Sequence, residues 1–148
     1  MGAGTSATQL IFFISSVIIA MGVVGALFMN VQSITTAATL GSKTLTEQLK
    51  TDITVINDPE IIPNSSGIYT FYVKNTGTEG LGIEYITVII DGNIIPDNDL
   101  NKTIIGSGSM WLTGDVLKIN ATVSLDSGSH NFRIITTNGI EDSFSFRI

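Results

Sequence analysis

The chain of 148 residues has no cysteine, three prolines and a single histidine, and it carries no charged side chain before Lys43. Each shortage closes off chemistry. Without cysteine there is no disulfide, no thiolate nucleophile and no Cys-bound zinc. The lone histidine, His130, would have to serve any Ser-His-Asp triad, and no G-x-S-x-G frame exists to present a serine to it. Gly2, Gly4, Gly106 and Gly108 form neither a P-loop nor a dinucleotide fingerprint. Charged residues make up only 14%, against about a quarter in ordinary soluble domains. The formal net charge of −6 argues against nucleic acid and against a polybasic lipid-binding role. The expectation is a protein that is not an enzyme and has no metal and no cofactor.

What the chain does have is an uncharged, apolar stretch from Leu10 to Val31, broken only by Ser15, Ser16 and small residues. At 1.5 Å per residue that stretch measures about 33 Å, and a bilayer core is about 30 Å thick. The sequence predicts one membrane-spanning helix. A cleaved signal peptide fits less well: no Lys or Arg precedes the run, and the run exceeds the usual h-region of about 7–15 residues. Within the helix Ser15, Gly22 and Ala26 fall at spacings of seven and four, on one face, where small side chains let helices approach closely in lipid. They are the candidate helix-packing residues. Beyond them Ile34, Ala38, Leu45 and Leu49 continue a narrow apolar seam to Lys50, with a possible break near Gly41 because Thr44 and Glu47 fit a local capping box.

From Ile53 the hydrophobic period changes to two. Leu117, Ile119, Ala121, Val123 and Leu125 alternate with Lys118, Asn120, Thr122 and Ser124, and Tyr69, Phe71 and Val73 alternate with Thr70, Tyr72 and Lys74. Turn signals at Asn75-Thr76-Gly77, Asp91-Gly92, Ser127-Gly128 and Asn138-Gly139 separate the runs. Seven strands are expected, near 53–57, 67–75, 83–91, 102–105, 116–125, 130–137 and 140–148. The chain therefore divides into residues 1–52, a hydrophobic transmembrane and assembly helix with its stalk, and residues 53–148, an extracytoplasmic β domain. The fold class is α+β: a long N-terminal pilin-like helix followed by an immunoglobulin-like sandwich. The last strand ends the chain and alternates cleanly, so Phe144, Phe146 and Ile148 mark a candidate edge strand for pairing with a partner.

Three weaker patterns have plain readings. Asp97, Asp99 and Asn101 alternate as in a calcium loop, but Lys102 stands where such a loop needs glycine and Gly108 where it needs glutamate, so an acidic turn is the better reading. Met1-Gly2 with Ser6 fits an N-myristoylation pattern by chance. The sequons at Asn64, Asn101 and Asn120 are about as many as composition alone would give.

Two sets of residues carry a family resemblance. Gly4-Thr-Ser-Ala-Thr-Gln-Leu-Ile-Phe-Phe-Ile-Ser-Ser-Val-Ile-Ile-Ala20 resembles the start of mature archaeal flagellins. Phe71-Tyr-Val-Lys-Asn-Thr-Gly77, Val88-Ile-Ile-Asp-Gly92 and Gly128-Ser-His-Asn-Phe-Arg-Ile-Ile-Thr-Thr-Asn-Gly-Ile140 resemble the β domain of the archaellum accessory proteins FlaG and FlaF, with FlaG favoured on the flagellin-like helix. The resemblance implies a static part of the archaellum motor. Its helix would be anchored in the cytoplasmic membrane, and its β domain would lie outside, in the space below the S-layer. It also implies partners: further copies of itself, a FlaF/FlaG-type protein and the S-layer protein. The contrasting expectation is a minor archaeal flagellin or a type IV pilin-like filament subunit or adhesin. Lys43 and Lys50 after the helix weakly favour a cytoplasmic β domain by the positive-inside tendency. The low-charge, Ser/Thr-rich composition of the β region favours the outside and decides the expectation.

Overall fold

The computed structural model describes residues 2–106 and 108–148, so Met1, which opens the lipidation pattern, lies outside the described residues. Helix α1 runs from Gly2 to Lys50 with no break at Gly41, contrary to the interruption the local capping pattern allowed. No proline interrupts it, and four of its hydroxyls bond back to the preceding turn. Thr8 donates to the carbonyl of Gly4 (2.8 Å), Ser16 to Phe12 (2.7 Å), Thr36 to Gln32 (2.9 Å) and Thr39 to Thr35 (2.9 Å). Such back-bonding lets Ser and Thr sit in an apolar helix without an orphaned polar group. No residue of α1 is buried. An apolar helix exposed on every side needs lipid or other helices around it.

The chain forms two compact units that meet between Lys43 and Thr44. The last turns of α1 therefore belong with the β domain rather than with the apolar segment.

The β domain consists of two antiparallel sheets. In the first, β1 (Ile53–Val55), β3 (Ile68–Asn75), β7 (Val116–Thr122) and β6 (Leu100–Ile104) lie in that order, with β2 (Asn64–Ser65) paired to β3. In the second, β5 (Asn93–Ile94), β4 (Thr87–Ile90), β8 (Ser129–Ile135) and β9 (Glu141–Arg147) lie in that order. The alternation of the sequence is the alternation of burial. Tyr69, Phe71 and Val73 of β3 and Leu117, Ile119 and Ala121 of β7 are buried in one core with Val88, Ile90, Phe132, Ile134 and Phe146 of the second sheet. Phe71 stacks on Phe132 across the two sheets at 4.0 Å between ring centroids, and Phe146 meets Phe71 edge-on at 5.3 Å. Such aromatic pairs add about 0.5–1.5 kcal/mol beyond the area they bury.

Several expected boundaries shift. The expected strand over 83–91 is a strand only from Thr87 to Ile90, because Glu84 and Tyr85 turn the chain and Leu81 makes an isolated bridge to Trp111. The run expected to 125 leaves the sheet after Thr122, although Val123 and Leu125 still pack on the core. Two short strands, β2 and β5, went unforeseen. Each is one arm of a tight hairpin whose central residues both have positive φ: Ser66 (53°) with Gly67 (82°), and Asp91 (51°) with Gly92 (81°). That is the geometry of a type I′ turn, whose twist suits adjoining strands. The sequon residues Asn64 and Asn101 stand in β2 and β6. Asn120, on β7, accepts a hydrogen bond from the Thr70 hydroxyl at 2.9 Å.

Candidate functional site

Three places could serve a structural protein: the helix surface, the sheet edges, and the point where the helix is rooted in the β domain. On the helix, Ser15, Gly22 and Ala26 lie within about 40° of one another at 3.6 residues per turn. A Cβ added at Gly22 would meet nothing within 4 Å. The far side of the helix carries an open apolar groove of about 510 Å³ lined by Val17, Ala20, Met21, Val24, Gly25 and Phe28. Sequence reasoning missed it because large and small residues alternate there without a repeated small-residue spacing.

The sheet edges are guarded. β9 is the outer strand of the second sheet, and Phe144, Phe146 and Ile148 turn toward the core, Phe146 being fully buried and the other two partly so. The backbone of Ile148 pairs with Gly128, whereas Arg147 donates to the carbonyl of Pro59 at 2.8 Å. Odd-numbered residues of β9 thus aim their backbone groups outward. The outward N–H of Ser143 is taken by the Asp142 carboxylate (2.9 Å), whose other oxygen accepts from Val55 of β1 at 2.8 Å. Asp142 therefore ties the edge of one sheet to the edge of the other. At the opposite edge, β6 carries Lys102, whose side chain is only 12% exposed and binds the Glu84 carbonyl (3.1 Å) and the Asp97 carboxylate (2.9 Å). Covered edges, inward-pointing lysines and very short outer strands such as β5 are the devices by which sheets avoid indiscriminate edge pairing. Asp97, the first residue of the calcium-like pattern, is thus an ion-pair partner of Lys102 in a short 3₁₀ turn over Asp97–Asp99.

The helix root is the most elaborated part of the β unit. The end of a helix leaves carbonyls without partners. Here the carbonyl of Lys50 accepts from Thr78 (2.8 Å) and Glu79 (3.3 Å), that of Gln48 from the Thr51 N–H (3.1 Å), and that of Glu47 from the Thr51 hydroxyl (2.7 Å). The Asp52 carbonyl accepts from both Thr76 and Gly77 at 2.9 Å. From the β8–β9 hairpin, Asn138 donates to the Thr51 hydroxyl at 2.6 Å and accepts from the Gln48 side chain at 2.9 Å. The loop that reaches the helix is shaped by buried Asn75. Its amide donates to the carbonyls of Glu79 (2.8 Å) and Trp111 (3.0 Å), and its oxygen accepts from Gly77 (3.1 Å). Trp111 is fully buried and donates to the Asp115 carbonyl at 2.9 Å. The sequence marked Asn75-Thr76-Gly77 and Asn138-Gly139 as turns. Nothing in their spacing told that both would converge on one helix end.

His130, the residue that any Ser-His-Asp triad would need, stands on β8. Its ring lies between the Asp91 carboxylate and the Asp126 carbonyl.

The sequence profile of archaeal-type flagellins matches residues 2–146. The chain belongs to the archaeal-type flagellin family. Within that family its relatives include flagella-related protein G of Methanococcus voltae, 32% identical over 146 residues that cover 95% of both chains. The flagella-related protein G of Methanocaldococcus jannaschii is 30% identical over 142 residues, covering 93% of this chain and 92% of that one. Among solved structures, the archaellum periplasmic stator protein FlaG from Sulfolobus acidocaldarius matches with a TM-score of 0.50 and 19% identity, over 65% of this chain and 99% of its own; that likeness is one of fold. Of the two accessory types that the β-domain residues resemble, the relatives are of the G type. This archaeal-type flagellin family member is a non-enzymatic structural component associated with the archaeal flagellum.

Proposed function

We propose that the chain is a membrane-anchored stator subunit of the archaellum, its β domain projecting outside the cytoplasmic membrane as an immunoglobulin-like sandwich and linking the motor to the S-layer. The observation that carries the reading is the pairing, within one end-to-end family match, of an apolar helix exposed on every side with a two-sheet domain that grips that helix's last turn. A stator must hold its position against torque. An apolar anchor and a domain that fixes its end supply that without chemistry. Copies of the chain would assemble through the helix, where Ser15, Gly22 and Ala26 permit close contact, and through side chains of the β domain, and a FlaF-type protein would complete the link to the wall. The outer strand marked by Phe144, Phe146 and Ile148 would contribute through its outward backbone around Ser145 rather than along its whole length.

The test is a clean deletion in a motile archaeon. Filaments should form poorly or fail to rotate while growth is unaffected, and the chain restored with a photo-crosslinker in the β domain should capture FlaF-type or S-layer protein. Normal swimming without a second copy of the gene would remove the stator role.

A second reading, a minor filament subunit, is favoured by the match of the flagellin profile itself to residues 2–146. Immunogold labelling separates the two: signal along the filament supports the subunit, and signal confined to the cell envelope supports the stator.

A further inference from the structure

His130 is the single histidine of the chain, on β8, and both of its ring nitrogens face groups that can only accept. Nδ1 lies 2.6 Å from Oδ2 of Asp91, and Nε2 lies 2.6 Å from the backbone carbonyl of Asp126. A neutral imidazole carries one N–H, so it can satisfy one of these oxygens and must turn a lone pair on the other. Only the imidazolium, with two N–H groups, fits both. The histidine side chain is 11% exposed and that of Asp91 37%.

We propose that His130, as an imidazolium, clamps the β4–β5 turn to the β7–β8 connection, and that this end of the β domain loosens as the medium becomes alkaline. The turn is held to β8 by backbone pairing, Asp91 N–H donating to the Asn131 carbonyl at 2.9 Å, and the His130 ring adds the link to the connection. Asp91 heads the type I′ turn at a φ of 51°, and its second carboxylate oxygen accepts from the Asn131 N–H at 2.8 Å. Asp126 stands in the irregular segment between β7 and β8, whose far end, Gly128, pairs with Ile148. The charged groups that face the ring are Asp91 from the turn and Asp126 from the connection. From β9 it meets the uncharged ring of Phe146, at 5.6 Å between centroids, while Arg147 stands opposite Ser129. Both nearby charges are negative and favour the protonated ring.

The shifts agree with the geometry. The hydrogen bond to Asp91, then that to Asp126, raises the His130 pKa above its ordinary 6.5. The Asn131 N–H, ahead of His130, lowers that of Asp91. A raised histidine contributes stability that is complete below its unfolded pKa and is lost as pH rises through the folded one. A depressed carboxylate contributes stability above its unfolded pKa and loses it as pH falls. The clamp is therefore closed from mildly acidic to neutral pH. The proposal does not depend on the motor assignment.

The experiment is an NMR titration of the full chain in detergent with ¹⁵N-labelled histidine, which yields one ring to follow, together with amide hydrogen exchange at Asn131. The ring should titrate above 6.5, with both nitrogens protonated at pH 6, and the protection of the Asn131 amide, its exchange corrected for the intrinsic base-catalysed rate, should fall by about tenfold once the ring is neutral, the scale of losing one charge-assisted hydrogen bond. Asp91→Asn supplies an amide N–H that suits a neutral Nδ1, so it should bring the titration below the wild-type midpoint without unfolding the domain. His130→Gln should keep the fold and abolish the pH dependence of Asn131 protection, measured against the intrinsic exchange rate, between pH 6 and 9. A ring that titrates at or below 6.5, an unchanged midpoint in Asp91→Asn, or the same pH dependence in His130→Gln would each overturn the clamp.

Discussion

Asn138 and Thr51 stand 87 positions apart in the chain and 2.6 Å apart in the fold, where the side-chain amide of the first donates to the hydroxyl of the second. The Thr51 hydroxyl in turn donates to the Glu47 carbonyl, and the Asn138 carbonyl accepts from the Gln48 amide, so one hairpin closes the last turn of a helix that begins far from it in sequence. Replacing Asn138 with Ala leaves the backbone bond from Gln48 and removes two side-chain bonds, the one to Thr51 and the one accepted from the Thr136 hydroxyl. The expected cost is about 1–1.5 kcal/mol, read as a lower midpoint in urea with an unchanged slope. Asn138→Asp should cost as much or more, since a carboxylate cannot donate to Thr51.

The same junction sets where the chain can be cut. A protein that begins at Thr44 keeps the helix turn, Gln48 and Thr51, and should be soluble and cooperatively folded. One that begins at Ile53 loses those bonds and leaves the N–H groups of Thr78 and Glu79 without the Lys50 carbonyl. It should be less stable by at least about 3 kcal/mol, six hydrogen bonds at the lower end of the usual net value. Equal midpoints for the two truncations would show that the root is ornamental.

How far the sequence reveals this architecture follows from the range of each interaction. The uncharged run from Leu10 to Val31 and the alternation along β3, β7 and β9 are local patterns with one physical meaning, and they were legible. Asp91-Gly92 and Asn138-Gly139 announced turns for the same reason. The strand expected over 83–91 misled because Ile83, Tyr85 and Ile86 have strand-like composition, yet the chain turns at Glu84 and Tyr85 after Leu81 pairs with Trp111. The root of the helix, the Asp142 tie and the His130 clamp were invisible. Each joins residues from separate elements, and no spacing in a single sequence encodes which polar side chain will meet which distant carbonyl.

Gly77 has no space for a side chain. A Cβ there would fall 2.5 Å from the Asp52 nitrogen and against the Lys50 carbonyl, both backbone atoms that cannot swing aside. Gly77→Ala should therefore destabilise by about 2–3 kcal/mol, at the high end for a single substitution. Gly82→Ala, where the added carbon meets nothing within 4 Å, is the matched control and should stay within about 0.5 kcal/mol.

The two faces of α1 can be told apart by substitution. Gly22→Leu and Ala26→Leu would fill the small-residue face, preventing close approach and forfeiting the van der Waals contact that drives helix association in lipid. Membrane insertion should persist while cross-linked multimers decline. Leu at Ala20 alters the opposite groove, lined also by Val17, Met21 and Phe28. If that substitution alone disrupts the multimers, assembly runs through the groove and not through Ser15, Gly22 and Ala26.

The outer strand gives the sharpest contrast between neighbours. Arg147 donates outward to Pro59 and Ile148 donates inward to Gly128, so by alternation the N–H of Ser145 faces away from β8 and that of Phe144 faces toward it. Proline removes an N–H, which an edge tolerates on its open side and not on its paired side. Ser145→Pro should cost no more than about 1 kcal/mol, chiefly through the long 3.4 Å contact with Asn131. Phe144→Pro breaks a ladder bond and removes an aromatic ring packed on the core, and should cost about 4 kcal/mol or more. The first variant is then a usable probe of function. If Ser145→Pro folds but no longer recruits a partner that the wild type binds, the edge around Ser145 takes part in recognition. If recruitment is unchanged, the partner is held by side chains elsewhere on the β domain, and the guarded edges serve only to keep unwanted strands away.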